Sequence, residues 1–120
     1  NQDLGEKFRA WNIGRHDEII ADSAEPKSIT ELSRMNFNVK PARKGADSIR
    51  NGIDIMRRHK LFIKSDSLNL QKEFRNYKWN TDRDGRILPQ PRDAWNHGID
   101  AVRYCCLNKL AHRNRSYYIR

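Results

Sequence analysis

Ile19-Ile20-Ala21-Asp22-Ser23-Ala24-Glu25-Pro26 is the stretch on which the reading of this chain turns. Two β-branched residues run into a small residue, then an acid, then a proline that can open a helix. The pattern reads as a short buried strand ending in a carboxylate at the rim of a sheet. Open α/β sheets place ligands beyond the C-terminal ends of their strands, which makes Asp22 the first candidate site residue. Asp22 or Ser23 reads equally as a cap for the following helix. A second stretch, His97-Gly98-Ile99-Asp100-Ala101-Val102-Arg103-Tyr104, can bring another carboxylate to the same rim.

The 120 residues are enough for one domain with a modest core. No apolar run approaches the length needed to cross a membrane. The chain carries no signal peptide and does not begin with Met, and it reads as a piece of a longer polypeptide. Lysine and arginine number 24 against 15 acids, a formal net charge of +9, which predicts attraction to polyanions and to nucleic acid first. A solvated basic surface is the plainer reading of the same excess. Cys105 and Cys106 are adjacent in a helical pattern and point about 100° apart, so they are poor partners for one disulfide or one zinc ion. Cysteine usage therefore fits a reducing compartment.

Working outward along the chain, Leu4, Phe8 and Trp11 mark one face of a helix over residues 3–12 that Gly14 ends. The first strand covers 17–22. A helix follows over 28–35, with Ser28 and Glu31 spaced as a capping box and Ile29 and Leu32 facing inward. Residues 37–41 alternate like a second strand, and Arg43-Lys44-Gly45 makes a basic turn. The next helix, 47–59, is expected to bury Ile49, Ile53 and Met56 and to present Arg50, Arg57 and Arg58. Residues 61–64 read as a third strand, and 67–78 as a helix with Leu70, Phe74 and Tyr77 buried. Residues 80–92 read as a polar loop, and 93–112 as a last helix with the stripe Trp95, Ile99, Val102, Cys106 and Leu110. The basic, aromatic stretch 113–120 reads as a tail. Helices and strands alternate in this order, so the expected class is α/β with a mostly parallel sheet flanked by helices.

On the last helix Asp93, His97, Asp100 and Tyr104 share a face beside the apolar stripe. An acid and an imidazole one turn apart suit Mg²⁺ or Mn²⁺. The alternative is that Asp93 caps the helix and His97 is a surface histidine. Phosphodiester cleavage by two metal ions calls for a cluster of carboxylates. Asp22 and Asp100 supply two and His97 a neutral ligand. Asp47, Asp54, Asp66, Asp82 and Asp84 read better as caps, turns or solvated faces, so no third acid emerges. Nothing matches a P-loop. Lys40, Arg43, Lys44 and Arg50 are the candidates for phosphate contacts, joined by Arg57 and Arg58.

The two stretches above, together with Val39-Lys40-Pro41-Ala42-Arg43-Lys44-Gly45-Ala46-Asp47-Ser48-Ile49, Gly52-Ile53 and Phe74-Arg75-Asn76-Tyr77-Lys78-Trp79, resemble the C-terminal nuclease domain of the large terminase subunit of tailed bacteriophages. The resemblance covers residues 15–108 in motif order. It implies a ribonuclease-H-like fold, incomplete at the N-terminus, over residues 1–112, and a metal-dependent endonuclease that cuts concatemeric viral DNA during genome packaging. By position, Asp22 resembles the second catalytic acid and Asp100 the third, with His97 beside it at a site for two Mg²⁺ or Mn²⁺ ions. Lys44 falls in the family's basic turn, where it is placed to touch the phosphate backbone.

The family's first catalytic Asp lies on a strand ahead of anything in this chain. Its loss implies a free edge beside the strand ending at Asp22, open to self-association, and weak metal binding and cleavage by the chain alone. An upstream ATPase domain, double-stranded DNA as substrate, the small terminase subunit and the portal as partners, no membrane association and the bacterial host cytoplasm are further implications. The rival reading is a non-catalytic DNA-binding or packaging-motor interaction fragment of a prophage remnant. That reading predicts salt-sensitive DNA affinity with no dependence on Asp22 or Asp100.

Overall fold

The computed structural model describes the backbone of residues 1–118 and the side chains of residues 1–111. The side chains of the tail at 113–120 lie outside the described residues. The chain divides into two compact units, Asn1–Lys44 and Gly45–Arg120, each with its own apolar cluster.

The first unit contains α1 (Gln2–Ala10), β1 (Glu18–Ala21), α2 (Pro26–Arg34) and β2 (Asn38–Pro41). β1 and β2 pair in parallel, with Ile19 opposite Val39 and Ala21 opposite Pro41. The ladder continues one step further, where the Ala42 amide donates to the Ala21 carbonyl at 2.7 Å. Pro26 opens α2, as its fixed φ and missing N–H favour. Leu32, Phe37 and Val39 are buried, with Phe8, Ile19, Ile29 and Met35 packed around them.

Three local expectations in this unit change. Ser28 and Glu31 lie inside α2 and form no capping box; both instead accept from the Asn1 side-chain amide, at 3.1 and 2.7 Å. α1 ends before Gly14, because Asn12 takes the left-handed conformation (φ 63°) and the Ile13 amide closes onto the Phe8 carbonyl. Its buried residue is Gly5, where a Cβ would strike the Met35 side chain, so α1 packs through Gly5 and Phe8 rather than through Leu4 and Trp11. Trp11 is 65% exposed, with its ring centre 6.3 Å from that of Phe8.

The second unit contains α3 (Ser48–Arg57), α4 (Leu68–Asn76), β3 (Trp79–Thr81), β4 (Ile87–Pro91) and α5 (His97–Tyr118). Its core is Ile55, Met56, Ile99 and Cys106, with Leu70, Phe74, Tyr77, Val102 and Leu110 against it. The stripe expected on α4 is therefore present. On α3 the inward face is rotated: Gly52, Ile55 and Met56 are buried, Ile53 is half-buried, and Ile49 is exposed.

Residues 61–64 form no strand. The Gln71 side-chain amide donates to the carbonyls of Lys64 and Ser65 at 2.9 and 3.1 Å, taking up acceptors a ladder would have used. Phe62 is 84% exposed, with the Lys60 ammonium 5.6 Å from its ring centre. The segment read as a polar loop holds the antiparallel pair β3–β4. Its turn is built by Asp82, whose Oδ1 accepts from the amides of Asp84 and Arg86, and by Gly85 at φ 79°. The sheet content of the described residues is thus one parallel and one antiparallel pair, rather than one mostly parallel sheet.

Burial, and to a smaller degree the neighbouring Cys105, push the Cys106 thiol above its ordinary value, while Cys105 is exposed. Thiolate is the reactive form, so iodoacetamide at pH 8 should label Cys105 in the folded protein and leave Cys106 unmodified until denaturant is added. Mass spectrometry of the digested adduct checks this.

Candidate functional site

Asp22 is the first residue after β1, at the C-terminal end of the parallel pair. Its carboxylate Oδ1 accepts from the Ala24 amide at 3.0 Å, an Asx turn that carries the chain off the strand. The N-cap of α2 is Glu25, with no side-chain bond, so neither Asp22 nor Ser23 caps the helix. The same Oδ1 lies 2.5 Å from the Lys44 ammonium, and both side chains are part exposed. One step back along the ladder, Lys40 pairs with Glu18 at 3.2 Å. Lys40 and Lys44, two of the residues expected to meet phosphate, are therefore matched to acids of their own unit. Arg43 is exposed beside them.

His97 and Asp100 occupy the first turn of α5 and share a face, three residues apart. Asp93 and Trp95 are outside the helix, against expectation. Trp95 takes φ 57°, a left-handed conformation that breaks helical continuity, and Asp93 accepts from the Asn96 side chain at 2.8 Å. The acidic face expected from 93 to 104 is thus shortened to His97, Asp100 and Tyr104.

Two residues that spacing did not single out fix this turn. Glu73 of α4 accepts from the Gly98 amide at 2.9 Å and the Ile99 amide at 3.1 Å. It thereby supplies acceptors and negative charge to the N-terminal end of α5. Gly98 makes the approach possible, since a Cβ there would come within 2.9 Å of the Leu70 side chain. Arg103 is buried, and its Nη2 donates to the Asp100 Oδ1 at 3.1 Å. Tyr77, read as core, also senses Asp100: burial and then the Asp100 charge push its phenol above the usual range, against the opposing pull of Arg103. An acid such as Glu73 on a mostly apolar helix face was the available signal for the cap.

Glu73→Gln keeps the shape and removes the charge from bonds that are part-buried. It should lower stability by about 1–2 kcal/mol, read as a shift of the urea midpoint at constant slope.

Arg50 and Arg57 on α3 and Arg58 at its C-terminal cap are exposed, as the sequence indicates. Arg50 also lines a shallow cleft of about 250 Å³ with Gly45, Asp47, Ser48, Pro89 and Gln90. Among the described residues no group of three His, Cys, Asp or Glu side chains comes together to hold a metal ion. The donor types do suit one. The carboxylates of Asp22 and Asp100 and the imidazole of His97 are hard and borderline ligands of the kind Mg²⁺ and Mn²⁺ take.

The family model of the terminase RNase H-like domain matches residues 9–107. The chain belongs to this family. It is 37% identical over 91 residues to the terminase large subunit of Bacillus phage SPP1, a match covering 72% of this chain and 21% of that protein. Its structure superposes on the crystal structure of the large-terminase nuclease domain of bacteriophage SPP1 with bound Mn, with a TM-score of 0.75 and 31% identity. That superposition covers 85% of this chain and 59% of the SPP1 domain. The fold is therefore that of an RNase H-like terminase nuclease domain, and the present chain spans about a fifth of the length of the curated relative. No helix among the described residues of this terminase domain is long and apolar enough to cross a membrane.

Proposed function

We propose that this domain is the metal-dependent DNA endonuclease of a phage terminase large subunit and cuts concatemeric viral DNA during genome packaging. The observation that carries the reading is the place of the acids within a family match spanning 9–107: Asp22 directly follows a parallel strand, and Asp100 stands with His97 on the first turn of α5. Asp22, His97 and Asp100 are the residues proposed to hold Mg²⁺ or Mn²⁺. The solved SPP1 domain carries Mn, which supports a divalent ion. When bound, such ions activate water and stabilise the leaving oxygen of a phosphodiester. Two ions bring four positive charges against two carboxylates, so the chain by itself is expected to hold metal weakly and to cleave slowly.

Lys40, Arg43, Lys44 and Arg50 are proposed to contact phosphate. Such contacts give affinity without base specificity. Lys40 and Lys44 each carry a carboxylate partner, so they serve DNA by exchanging that partner for a phosphate oxygen. The small terminase subunit and the portal are the proposed partners of the full-length protein, and the host cytoplasm is the proposed compartment. Among the described residues β1 pairs with β2 alone, and its other edge is where self-association would begin.

A supercoiled-plasmid assay tests the nuclease reading. We expect slow nicking that requires Mn²⁺ or Mg²⁺ and falls to background in Asp22→Asn and Asp100→Asn. Cleavage that persists in both variants would overturn it. The net charge of +9 favours a second reading, a DNA-binding module without catalysis. In that case DNA affinity falls steeply with salt and no divalent ion is needed for any activity.

A further inference from the structure

We infer that Arg103, seated by Gly52, is a positioning residue that sets the orientation of the Asp100 carboxylate; this rests on the reading of Asp100 as a metal-ligating acid. Arg103 is 5% exposed, and it is the buried charged residue of the described core. Its guanidinium lies 4.9 Å from the Tyr104 ring centre, and Nη2 reaches one oxygen of Asp100 at 3.1 Å. Its Nε is buried with no hydrogen-bond partner.

As a source of stability this is a poor arrangement. Burying a guanidinium costs several kcal/mol, and a single pair to a carboxylate that is itself one-third exposed returns only part of it. An apolar residue of similar volume would hold the core as well or better. The arrangement has a use if the orientation of Asp100 is what matters. One carboxylate oxygen is held by Nη2 of the buried, planar guanidinium, three residues along the helix from His97. Ligating carboxylates are commonly oriented in this way by a hydrogen-bonded neighbour.

The seat for Arg103 is made on the neighbouring helix. A Cβ at Gly52 would lie 2.5 Å from the Arg103 Cγ and 3.1 Å from its Cδ, so the arginine stem runs through the space that any other residue would fill. Gly52 is in the interior of α3, where glycine costs about 1 kcal/mol relative to alanine. Room for the stem is a physical reason to keep it. Gly52→Ala therefore pushes the guanidinium off Asp100 without removing any charge or any proposed ligand.

The test is a calorimetric Mn²⁺ titration of the chain and of Asp100→Asn, Arg103→Met, Arg103→Lys and Gly52→Ala, each checked for folding by circular dichroism. Arg103→Met and Gly52→Ala should weaken Mn²⁺ binding at least about tenfold. Arg103→Lys should not rescue it, because an ammonium on a flexible stem does not hold its donor at the place the planar guanidinium fixes for Nη2. Loss of binding in Asp100→Asn with unchanged affinity in Arg103→Met and Gly52→Ala would overturn the inference and leave the nuclease reading standing. Unchanged binding in Asp100→Asn would instead overturn that reading. If the Arg103 and Gly52 variants do not fold, the wild-type chain still decides the question. In a Mg²⁺ titration followed by NMR, the Arg103 Nε–H signal should move with the same midpoint as the Asp100 amide, and an Arg103 signal that stays still while Asp100 moves would overturn the inference.

Discussion

Asp100→Asn should cost this domain about 3 kcal/mol of stability even where no metal is present. The expectation comes from the partner rather than from Asp100 itself. Arg103 is buried, its Nε has no acceptor, and Asp100 is its ion-pair partner. Neutralising the acid leaves a guanidinium enclosed without a counter-charge, and removing one member of a buried pair typically costs about 3–5 kcal/mol. Asp100 is one-third exposed, which places the effect at the low end of that range. Urea unfolding followed by far-UV circular dichroism reads it directly. The double variant Asp100→Asn/Arg103→Met should recover much of the loss, because it removes the stranded charge as well. A single variant as stable as wild type would show that Arg103 finds another partner. The practical consequence is that loss of activity in Asp100→Asn must be compared with its folded fraction before it is assigned to metal binding.

Ile99→Ala should have the largest effect on stability, about 4 kcal/mol. Ile99 is fully buried at 0% exposure, in contact with the Ile55, Met56 and Cys106 cluster, and its loss opens a cavity where α3, α4 and α5 meet. Ile99→Val should cost only about 1 kcal/mol at the same place. The position also lies between His97 and Asp100 on the first turn of α5. A cavity there loosens the turn that carries both, so the alanine variant should lose metal affinity together with stability. An Ile99→Ala protein with an unshifted urea midpoint would mean that the core is not centred where the structure places it.

The parts of the fold that could be read from sequence are those where local pattern and tertiary packing agree. Ile19-Ile20-Ala21 and Val39 pair as expected, because both strands lie against one cluster, although β1 is half-buried along its length rather than fully buried. Pro26 opens α2 as its covalent geometry dictates. The stripe Leu70, Phe74 and Tyr77 reached its core.

The failures have separate causes. Leu61-Phe62-Ile63 has the composition of a strand but pairs with no strand among the described residues, and Gln71 takes the carbonyls of Lys64 and Ser65 that follow it. The β3–β4 hairpin was hidden by Pro89 and Pro91, which argue against a strand, although Asp84-Gly85 was a legible turn signal. Small residues were the most misleading. Gly5 and Gly52 mark the buried faces of α1 and α3, where hydrophobic periodicity pointed to Leu4 and Ile49.

The site was legible in part for the same reason. Asp22 and the His97–Asp100 pair stand out because strand ends and helix spacing are local properties. Glu73, Tyr77 and Arg103 acquire meaning only once folding brings them to those acids or their helix, and Lys44, legible as part of a basic turn, gains its pairing with Asp22 the same way. Asp22–Lys44 and Asp100–Arg103 show a common pattern, each candidate acid carrying a cation on the same unit. The two cations differ in freedom: Lys44 is exposed and able to leave its acid, whereas Arg103 is enclosed. Lys44 is thus the more suitable of the two to exchange its carboxylate for a DNA phosphate.

The measurement that tests the account most directly is calorimetric titration of Mn²⁺ into the wild-type chain, Asp22→Asn and Asp100→Asn. The account predicts weak but saturable binding to the wild type and its loss in both folded variants, which would assign the two acids to one function. Binding of the same strength in both variants, or no binding to the wild type at millimolar Mn²⁺, would contradict it.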